Sequence, residues 1–437
     1  MKVRPPRGFR DFTPDIMILR KDLIARLERV FRRYGYDPID TPALEYWETL
    51  AGKYGEEAEN RLIWRFEDPW SGREYALRYD LTVPLARFIA SHRDITLPFK
   101  RYHIGPVWRH EEPQRGRYRE FYQCDADIVG SPYPEADAEI VNLAVDALKA
   151  LGFEEGFEVR INDRRLLRGI YEVDLGVSDP TPLYRVIDKL DKIGVEGVRK
   201  ELERLGLAQG IVEKVLSLIT IKLPLHEGIA EIRSRYGGNA NNHIIEALDH
   251  LDEMASYIKS DANIVLDMSL VRGLDYYTGP IVEVVLREPR IGSVAGGGRY
   301  DNLIGIFLGR SIPATGVSIG IERIIDAGLE LGIYNLSKRT YTQVQVIVLD
   351  RSSYSYAWRV ADKIRNLGYN VSIDLARLSE KAQRKKARRL GIKVLAYIGA
   401  QEERSGTVTF YNTETGERVT VSLSEAELSS ILGGFVG

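Results

Sequence analysis

Arginines at unusual places in the chain are the first indication of chemistry. Four of them stand beside a predicted strand end, a glycine or a turn: Arg109, Arg117, Arg272 and Arg323. A guanidinium group stays charged at every working pH, and its planar fork matches the oxygens of phosphates and carboxylates. One such arginine is typical of an ordinary surface, but the set favours a polyphosphate site.

A strand predicted at Arg119 to Val129 carries a second polar group of side chains. Because side chains along a strand alternate with period two, one of its faces consists of Arg119, Phe121, Gln123, Asp125 and Asp127. An aromatic ring, an amide and carboxylates in one row suit a small zwitterion with a phosphate. Alternation alone favours a plainer alternative, a hairpin with one face in water.

Glycines and tyrosines provide weaker signals. The run Gly296-Gly297-Gly298 is followed by no Gly-Lys-Ser/Thr and is not a dinucleotide GxGxxG. It fits either a turn or a backbone that comes close to a ligand, since no Cβ stands in the way. Tyr276 and Tyr277 fit either the core of a sheet or a polar wall whose phenol groups face a ligand.

Composition sets the limits of these hypotheses. The 437 residues are 44% hydrophobic and 28% charged, with a net charge of −2, as is typical of a globular protein with a core. Any nucleic-acid contact must therefore come from local basic clusters. The one cysteine, Cys124, excludes an internal disulfide and a cysteine-based zinc site. With no apolar signal segment and no bilayer-spanning run, we expect a cytoplasmic protein without a membrane anchor.

The elements that must position these residues follow from periodicity. Apolar residues recur at helical spacing from Ile16 to Tyr34, and an extended segment with Pro38 and Pro42 follows, which predicts a strand at a sheet edge or a partner interface. Asp80-Leu81-Thr82 opens a helix, so Asp80 is interpretable as a simple capping residue. A charged, mostly helical stretch covers 166–260, and strand–helix alternation after 342 predicts a small α/β domain.

These motifs together resemble the histidyl-tRNA synthetases, a family of class II aminoacyl-tRNA synthetases. The resemblance covers nearly the whole chain, and its most specific segments are RHEEPQRGRYREF, beginning at Arg109, and LVRGLDYYTG, beginning at Leu270. AGGGRYDNLIG from Ala295 and ATGVSIGIERI from Ala314 also match. RYDLTVP and QCDADI resemble the archaeal and eukaryotic form of the family.

The resemblance implies an α+β fold with a six-stranded antiparallel catalytic sheet flanked by helices. It implies a catalytic core at residues 1–165 and 261–334, a helical insertion at 166–260, a linker at 335–342 and an anticodon-binding α/β domain at 343–437. It also implies a homodimer formed through the first helix and the proline-bearing strand.

The reaction implied is activation of L-histidine by ATP, followed by transfer of the histidyl group to tRNA(His). Arg109 and Arg272 are the expected catalytic residues, on either side of the α-phosphate. The other residues expected to bind histidine are Asp80, Leu81, Thr82, Gln123, Asp127, Tyr276, Tyr277 and Tyr300. Those expected to bind ATP, besides Arg109, are Glu111, Arg117, Phe121 and Arg323.

Contacts with tRNA are expected at two places. Gln114 and Arg115 belong to the loop that should reach the acceptor end, and Arg384, Lys385 and Arg388 belong to the densest basic stretch, on a helix of the last domain. A solvated helix face is the plainer interpretation of that stretch. Mg²⁺ is expected to accompany ATP, and the sequence contains no compact carboxylate cluster for it.

Three alternatives remain open at this stage. The first is a non-catalytic, histidine-sensing regulatory paralogue of ATP phosphoribosyltransferase, although such proteins typically lack the last domain and LVRGLDYYTG. The second is a tRNA-binding module with an inactive synthetase fold. The third is a synthetase for a different amino acid. An exchange assay with several amino acids separates the third, and a failure to exchange pyrophosphate on histidine would be needed for the second to stand.

Overall fold

The computed structural model describes residues 3–56, 58–259, 262–271 and 276–436. The chain divides into two compact units. The first consists of Leu23–Tyr334 together with the N-terminal arm through Asp11, and the second consists of Asn335–Gly437 together with Phe12–Asp22. Among the described residues, no helix combines the length and the apolar character needed to cross a bilayer.

Strands before Tyr334 form two sheets. They are β1 (Asp37–Pro38), β2 (Leu44–Tyr46), β3 (Arg65–Glu67), β4 (Glu74–Leu77), β5 (Phe99–Trp108), β6 (Glu120–Val129), β7 (Phe157–Asp163), β8 (Lys222–Pro224), β9 (Ile264–Asp267), β10 (Pro280–Leu286), β11 (Ser293–Arg299) and β12 (Ala314–Gly320).

Helices before Tyr334 flank these sheets or belong to the insertion. They are α1 (Pro14–Arg33), α2 (Trp47–Leu50), α3 (Thr82–Ser91), α4 (Pro134–Ala150), α5 (Arg164–Arg168), α6 (Thr181–Ile187), α7 (Leu190–Arg204), α8 (Gln209–Ile219), α9 (Leu225–Tyr236), α10 (Asn242–Ser256), α11 (Gly305–Leu308) and α12 (Ile321–Glu330). Short π-helical turns lie at Ala58–Leu62 and Gly169–Asp174, and a 3₁₀ turn lies at Gly237–Asn239.

The large sheet contains nine strands among the described residues, in the order β1-β5-β6-β12-β11-β10-β7-β9-β8. Its centre, from β5 to β7, is antiparallel throughout. These are the antiparallel strands expected from the resemblance, so the predicted α+β fold is confirmed. β1 lies at the sheet edge, parallel to β5, as Pro38 predicted, because proline cannot donate to a central ladder.

Two regions of the first unit show details that the sequence left open. Among the described residues before β10, Tyr276 and Tyr277 pack their rings edge to face, with centroids 4.9 Å apart, and β10 begins at Pro280. The stretch 166–260 is mostly helical as predicted, but it also contributes β8, which pairs with β9 at the far edge of the large sheet.

The second unit has a sheet of five strands among the described residues, in the order β14-β13-β15-β16-β17. The elements are β13 (Val344–Val348), α13 (Tyr354–Asn366), β14 (Val371–Ile373), α14 (Glu380–Leu390), β15 (Val394–Ile398), α15 (Ala400–Ser405), β16 (Thr407–Asn412), β17 (Arg418–Ser422) and α16 (Glu425–Val436), with a 3₁₀ turn at Arg351–Ser353. β13, a run of Val and Ile broken only by Gln345, is buried along its whole length.

Candidate active site

A cleft of about 260 Å³ opens on the face of the antiparallel sheet. Its floor is formed by β6, β12 and β11, and its walls come from the segment before α3, the β5–β6 loop, the residues before β10 and the first turn of α12. The predicted site residues that line it are Asp80, Thr82, Arg109, Glu111, Arg117, Phe121, Gln123, Asp127, Tyr276, Tyr277, Tyr300 and Arg323.

Three arginines reach this cleft, two from the β5–β6 loop and one from α12. Arg109 follows β5 and donates from Nε to the carbonyl oxygen of Tyr79 at 3.1 Å. Its guanidinium carbon lies 4.3 Å from the centre of the Tyr79 ring and 5.2 Å from that of Phe121. Contacts of this kind fix the plane of the guanidinium group, so Arg109 is held ready for an anionic ligand.

Arg117 and Arg323 stand at the other end of the cleft. Arg323 lies in the first turn of α12 and donates from Nε to the Gly116 carbonyl at 2.8 Å and from Nη1 to the Ser293 carbonyl at 2.5 Å. Arg117 Nη1 lies 3.8 Å from a carboxylate oxygen of Glu111. The backbone of the β5–β6 loop is thereby tied to the strand–helix junction of β12 and α12.

A buried carboxylate marks the opposite end. Asp127 is 3% exposed, and its Oδ2 lies 2.8 Å from Nη2 of Arg101, which is completely buried. The register pairs Asp127 with Arg101 across β5 and β6. The Tyr300 hydroxyl donates to the other carboxylate oxygen. Burial raises the pKa of Asp127, and Arg101 and Tyr300 oppose that rise.

Asp80 caps a helix and also lines the cleft. Its Oδ1 accepts hydrogen bonds from the backbone N–H groups of Thr82 and Val83, at 3.1 and 3.0 Å, which is local capping at the start of α3. The same carboxylate lines the cleft and accepts from the hydroxyl of Tyr54 at 2.9 Å. Burial raises its pKa.

Several predicted residues lie elsewhere. Leu81 is fully buried and does not line the cleft, although its carbonyl accepts from Arg101 at 3.1 Å. Gln114 and Arg115 belong to the β5–β6 loop beyond the cleft lining, where Arg115 forms an ion pair with Glu330. Arg384, Lys385 and Arg388 are exposed on α14, in the second unit. Arg272 lies outside the described residues.

Sequence reasoning missed several residues of the cleft. Ser318 and Glu322 line it without having been predicted, and Asp125, which alternation placed on the polar face of β6 but to which no role was given, lines it as well. Gln123 Nε2 donates to Ser318 Oγ at 2.7 Å. Arg101, beneath Asp127, had no comparable signal, because its role depends on the strand register.

The cleft thus joins a carboxylate-rich pocket to a pocket lined by arginines. Such a cavity fits a zwitterion with a hydrogen-bonding side chain next to a polyphosphate. Within the part of the chain that the structure describes, no group of three or more His, Cys, Asp or Glu residues forms a metal site.

Comparisons with known proteins agree with this geometry. A family model described as "Histidyl-tRNA synthetase" matches residues 8–324, and one described as "Anticodon binding domain" matches residues 343–428. A histidine--tRNA ligase of Aeropyrum pernix is 67% identical over 97% of this chain and 96% of its own length, and one of Korarchaeum cryptofilum is 56% identical over 96% of each. The crystal structure of a histidyl-tRNA synthetase from Nostoc sp. PCC 7120 is 29% identical, with a TM-score of 0.84 over 99% of both chains.

The sheet, the cleft and the C-terminal domain define an aminoacyl-tRNA synthetase. Within that class, the chain belongs to the histidyl-tRNA synthetase family. The family predicted from the sequence is confirmed.

Proposed function

We propose that this chain is a ligase that activates L-histidine with ATP and then transfers the histidyl group to the 3′ end of tRNA(His). The observation that carries the proposal is the single cleft in which Arg109 and Arg323 lie together with Asp80 and Asp127. Curated relatives named histidine--tRNA ligase, matched over nearly all of their length, favour this reaction over the regulatory and binding-only alternatives.

In the first step a histidine carboxylate oxygen attacks the α-phosphorus of ATP. The bond to the β-phosphate oxygen breaks, and pyrophosphate leaves. Negative charge accumulates on the α-phosphate in the transition state, so fixed cations are the main catalytic device and no protein nucleophile is needed. Arg109 is the proposed cation on one side, and Arg272, outside the described residues, is the proposed cation on the other.

The ATP tail and base have separate proposed contacts. Arg117 and Arg323 bind the β- and γ-phosphates, a role supported by their position together in the lining of the cleft. Phe121 packs on the adenine ring, with Glu111 near the edge of the base. Mg²⁺ usually binds through phosphates and one or two carboxylates, and Glu111 and Glu322 are the carboxylates of this end that fit such a role.

Histidine occupies the carboxylate-rich end in this proposal. Asp80, Thr82 and Gln123 bind its α-ammonium group. Asp127 accepts an imidazole N–H, and the tyrosines that surround the ring are Tyr276, Tyr277 and Tyr300. A side chain that has no N–H would leave the buried Asp127 carboxylate unsatisfied, which is a strong basis for selectivity.

For the second step, we propose that the chain binds tRNA. We also propose that it forms a homodimer. Gln114 and Arg115 contact the acceptor end, and the C-terminal domain contacts the anticodon region. For the dimer, the support is that β1 forms a sheet edge and that Asp40, which lies 2.9 Å from the buried His103, is itself 86% exposed. We place the reaction in the cytoplasm, where tRNA is charged.

The decisive experiment is amino-acid-dependent exchange of pyrophosphate into ATP by the purified protein. We expect exchange with histidine and little with the other amino acids. Exchange with a different amino acid would replace histidine as the substrate, and no exchange with any would leave the regulatory and the binding-only alternatives. Attachment of histidine to tRNA(His) then tests the second step.

A further inference from the structure

Asp125 is a cleft carboxylate that the proposed reaction leaves without a role. It lies on β6 between Gln123 and Asp127, on the same face, and it is 2% exposed. The register sets it opposite His103 on β5 and Ser318 on β12. It therefore stands at the centre of the floor, within the pocket proposed for histidine.

The hydrogen bonds of Asp125 are incomplete. The Ser318 hydroxyl has one proton, which it donates to Asp125, while its oxygen accepts from Gln123 at 2.7 Å. Among the described residues, Oδ1 of Asp125 has no hydrogen-bond partner. A buried carboxylate oxygen without a donor is costly, so this atom is suited to a donor supplied by a ligand.

The positive charges near Asp125 do not fully offset the negative charge of its carboxylate. The titratable or charged side chains that face it are Arg78, Asp80, Arg101, His103, Asp127, Tyr276 and Tyr277. Both arginines are already engaged, since Arg101 lies 2.8 Å from Asp127 and Arg78 lies 3.7 Å from Asp40.

The remaining neighbours of Asp125 add no positive charge. Burial, together with the nearby arginines, lowers the pKa of His103 to about 3, so that ring is neutral. Burial also raises the pKa values of Tyr276 and Tyr277. Arg109 offsets the charge of Asp80 and Arg101 pairs with Asp127. The charge of Asp125 is therefore only partly offset, and a zwitterionic ligand brings one further ammonium group.

We propose that Asp125 is a second carboxylate for the imidazole ring, so that Asp127 and Asp125 each hold one ring nitrogen through a proton. The inference rests on the proposed function and adds to it a protonation state. Bound histidine and Asp125 together carry one proton more than a neutral ring beside a carboxylate would. Only N–H and O–H bonds change, and the proton comes from solvent.

The pKa values of Asp125 and of free imidazole agree with the uptake of a proton on binding. Burial raises the pKa of Asp125 to about 7, and a free imidazole titrates near pH 6.5. Near pH 8 both groups are mostly unprotonated before binding, so binding must take up a proton. The ring then donates from both nitrogens, which distinguishes it from aromatic or amide side chains of similar size.

The test is calorimetry of histidine binding to the full-length protein at about pH 8, in two buffers of different ionisation enthalpy. We expect the wild type to take up close to one proton per histidine. In Asp125→Asn the uptake should disappear, and the dissociation constant for histidine should rise about tenfold or more, because a hydrogen bond to a charged group is lost. The dissociation constant for ATP should stay unchanged.

Two further variants keep the result interpretable. Asp249→Asn makes the same chemical change on the surface of α10, where the side chain is 61% exposed, and it should leave proton uptake unaltered. Ser318→Ala removes the donor that favours the charged form of Asp125, so it should reduce uptake even if Asp125→Asn does not fold.

The contrary outcomes are distinct. A wild type that binds histidine without taking up a proton overturns the inference, as does equal uptake by Asp125→Asn or by Ser318→Ala. Absence of histidine binding by the wild type is a different result, since it would count against the proposed function itself.

Discussion

At the scale of single residues, the proposed selectivity for histidine depends chiefly on Asp127. Replacing it with Asn keeps the shape of the side chain but removes the charge that pairs with the buried Arg101. We expect the KM for histidine in pyrophosphate exchange to rise by tenfold or more, because an imidazole N–H loses a charged acceptor. The KM for ATP should change little. An equal loss for both substrates would make Asp127 a structural residue.

The proposed transition-state cations provide a second prediction at this scale. Arg272→Ala should raise the activation free energy of pyrophosphate exchange by about 2–4 kcal/mol, the usual effect of removing one fixed donor from a developing negative charge. Arg290→Ala is the matched control, because that arginine side chain is 88% exposed. A near-wild-type exchange rate in Arg272→Ala would remove it from the catalytic residues.

Secondary-structure elements bring these residues together, and one glycine shows how closely neighbouring strands pack at the site. A Cβ added to Gly316 on β12 would lie 2.0 Å from Oδ1 of Asp127. Gly316→Ala must therefore displace the carboxylate, and we expect it to weaken histidine binding as Asp127→Asn does. Measurement of both KM values in exchange checks this. Unchanged histidine KM would mean that β6 and β12 separate without disturbing Asp127.

A buried ion pair links the sheet to the helical insertion and gives a stability prediction. Asp137 on α4 accepts from Arg299 at 2.7 Å and lies 2.7 Å from His250 Nε2 on α10. Asp137→Asn leaves the buried Arg299 with only its ion pair to Asp301, at 3.2 Å, so unfolding should become easier by about 3 kcal/mol, the lower end of the range for a broken buried pair. Asp146 lies on the same helix as Asp137 and forms a partly exposed ion pair with Lys259. Asp146→Asn should lower the free energy of unfolding by only about 0–1 kcal/mol. Denaturant unfolding measures both.

The contribution of that ion pair to folding stability changes with pH in a definite direction. Burial would raise the pKa of Asp137, but the hydrogen bonds and charges of His250 and Arg299 outweigh it, and the pKa is lowered. The folded state thus binds fewer protons than the unfolded state, whose pKa is about 3.9. The stability difference from Asp137→Asn should be constant above about pH 5 and shrink as the pH falls below about 4. A difference that grows in acid would contradict this.

Local pattern predicted much of the fold and of the cleft, and tertiary register supplied the rest. Alternation along β6 predicted that Gln123 and Asp127 share a face, and both line the cleft. The family resemblance implied a histidine-binding role for Leu81, but the turn at the start of α3 directs its side chain into the core. The pairing of Arg101 with Asp127 depends on how β5 aligns with β6, which composition and periodicity do not specify.

Each of the two compact units contains β-sheet of its own. The proposed binding of the small substrates and the proposed binding of the anticodon region of tRNA divide between the units in the same way. The cleft belongs entirely to the first unit. In the second unit, α14 buries Gln383 and Ala387, one helical turn apart, and exposes its basic side chains. This spacing is what a helix needs in order to pack one face on a sheet and present the other to an anionic partner.

A charge reversal tests that division. We define the basic face as Arg384, Lys385 and Arg388, all exposed, and change all three to Glu. Binding of tRNA(His) should weaken, and the slope of log K against log salt should become shallower by about 2–3, close to one unit for each lost phosphate contact. Histidine-dependent pyrophosphate exchange should stay at the wild-type rate, because no nucleic acid takes part in it. The matched control reverses three exposed basic residues of the same unit, Arg351, Arg359 and Lys363. Equal weakening in the control would show that the unit attracts tRNA through its overall charge and not through α14.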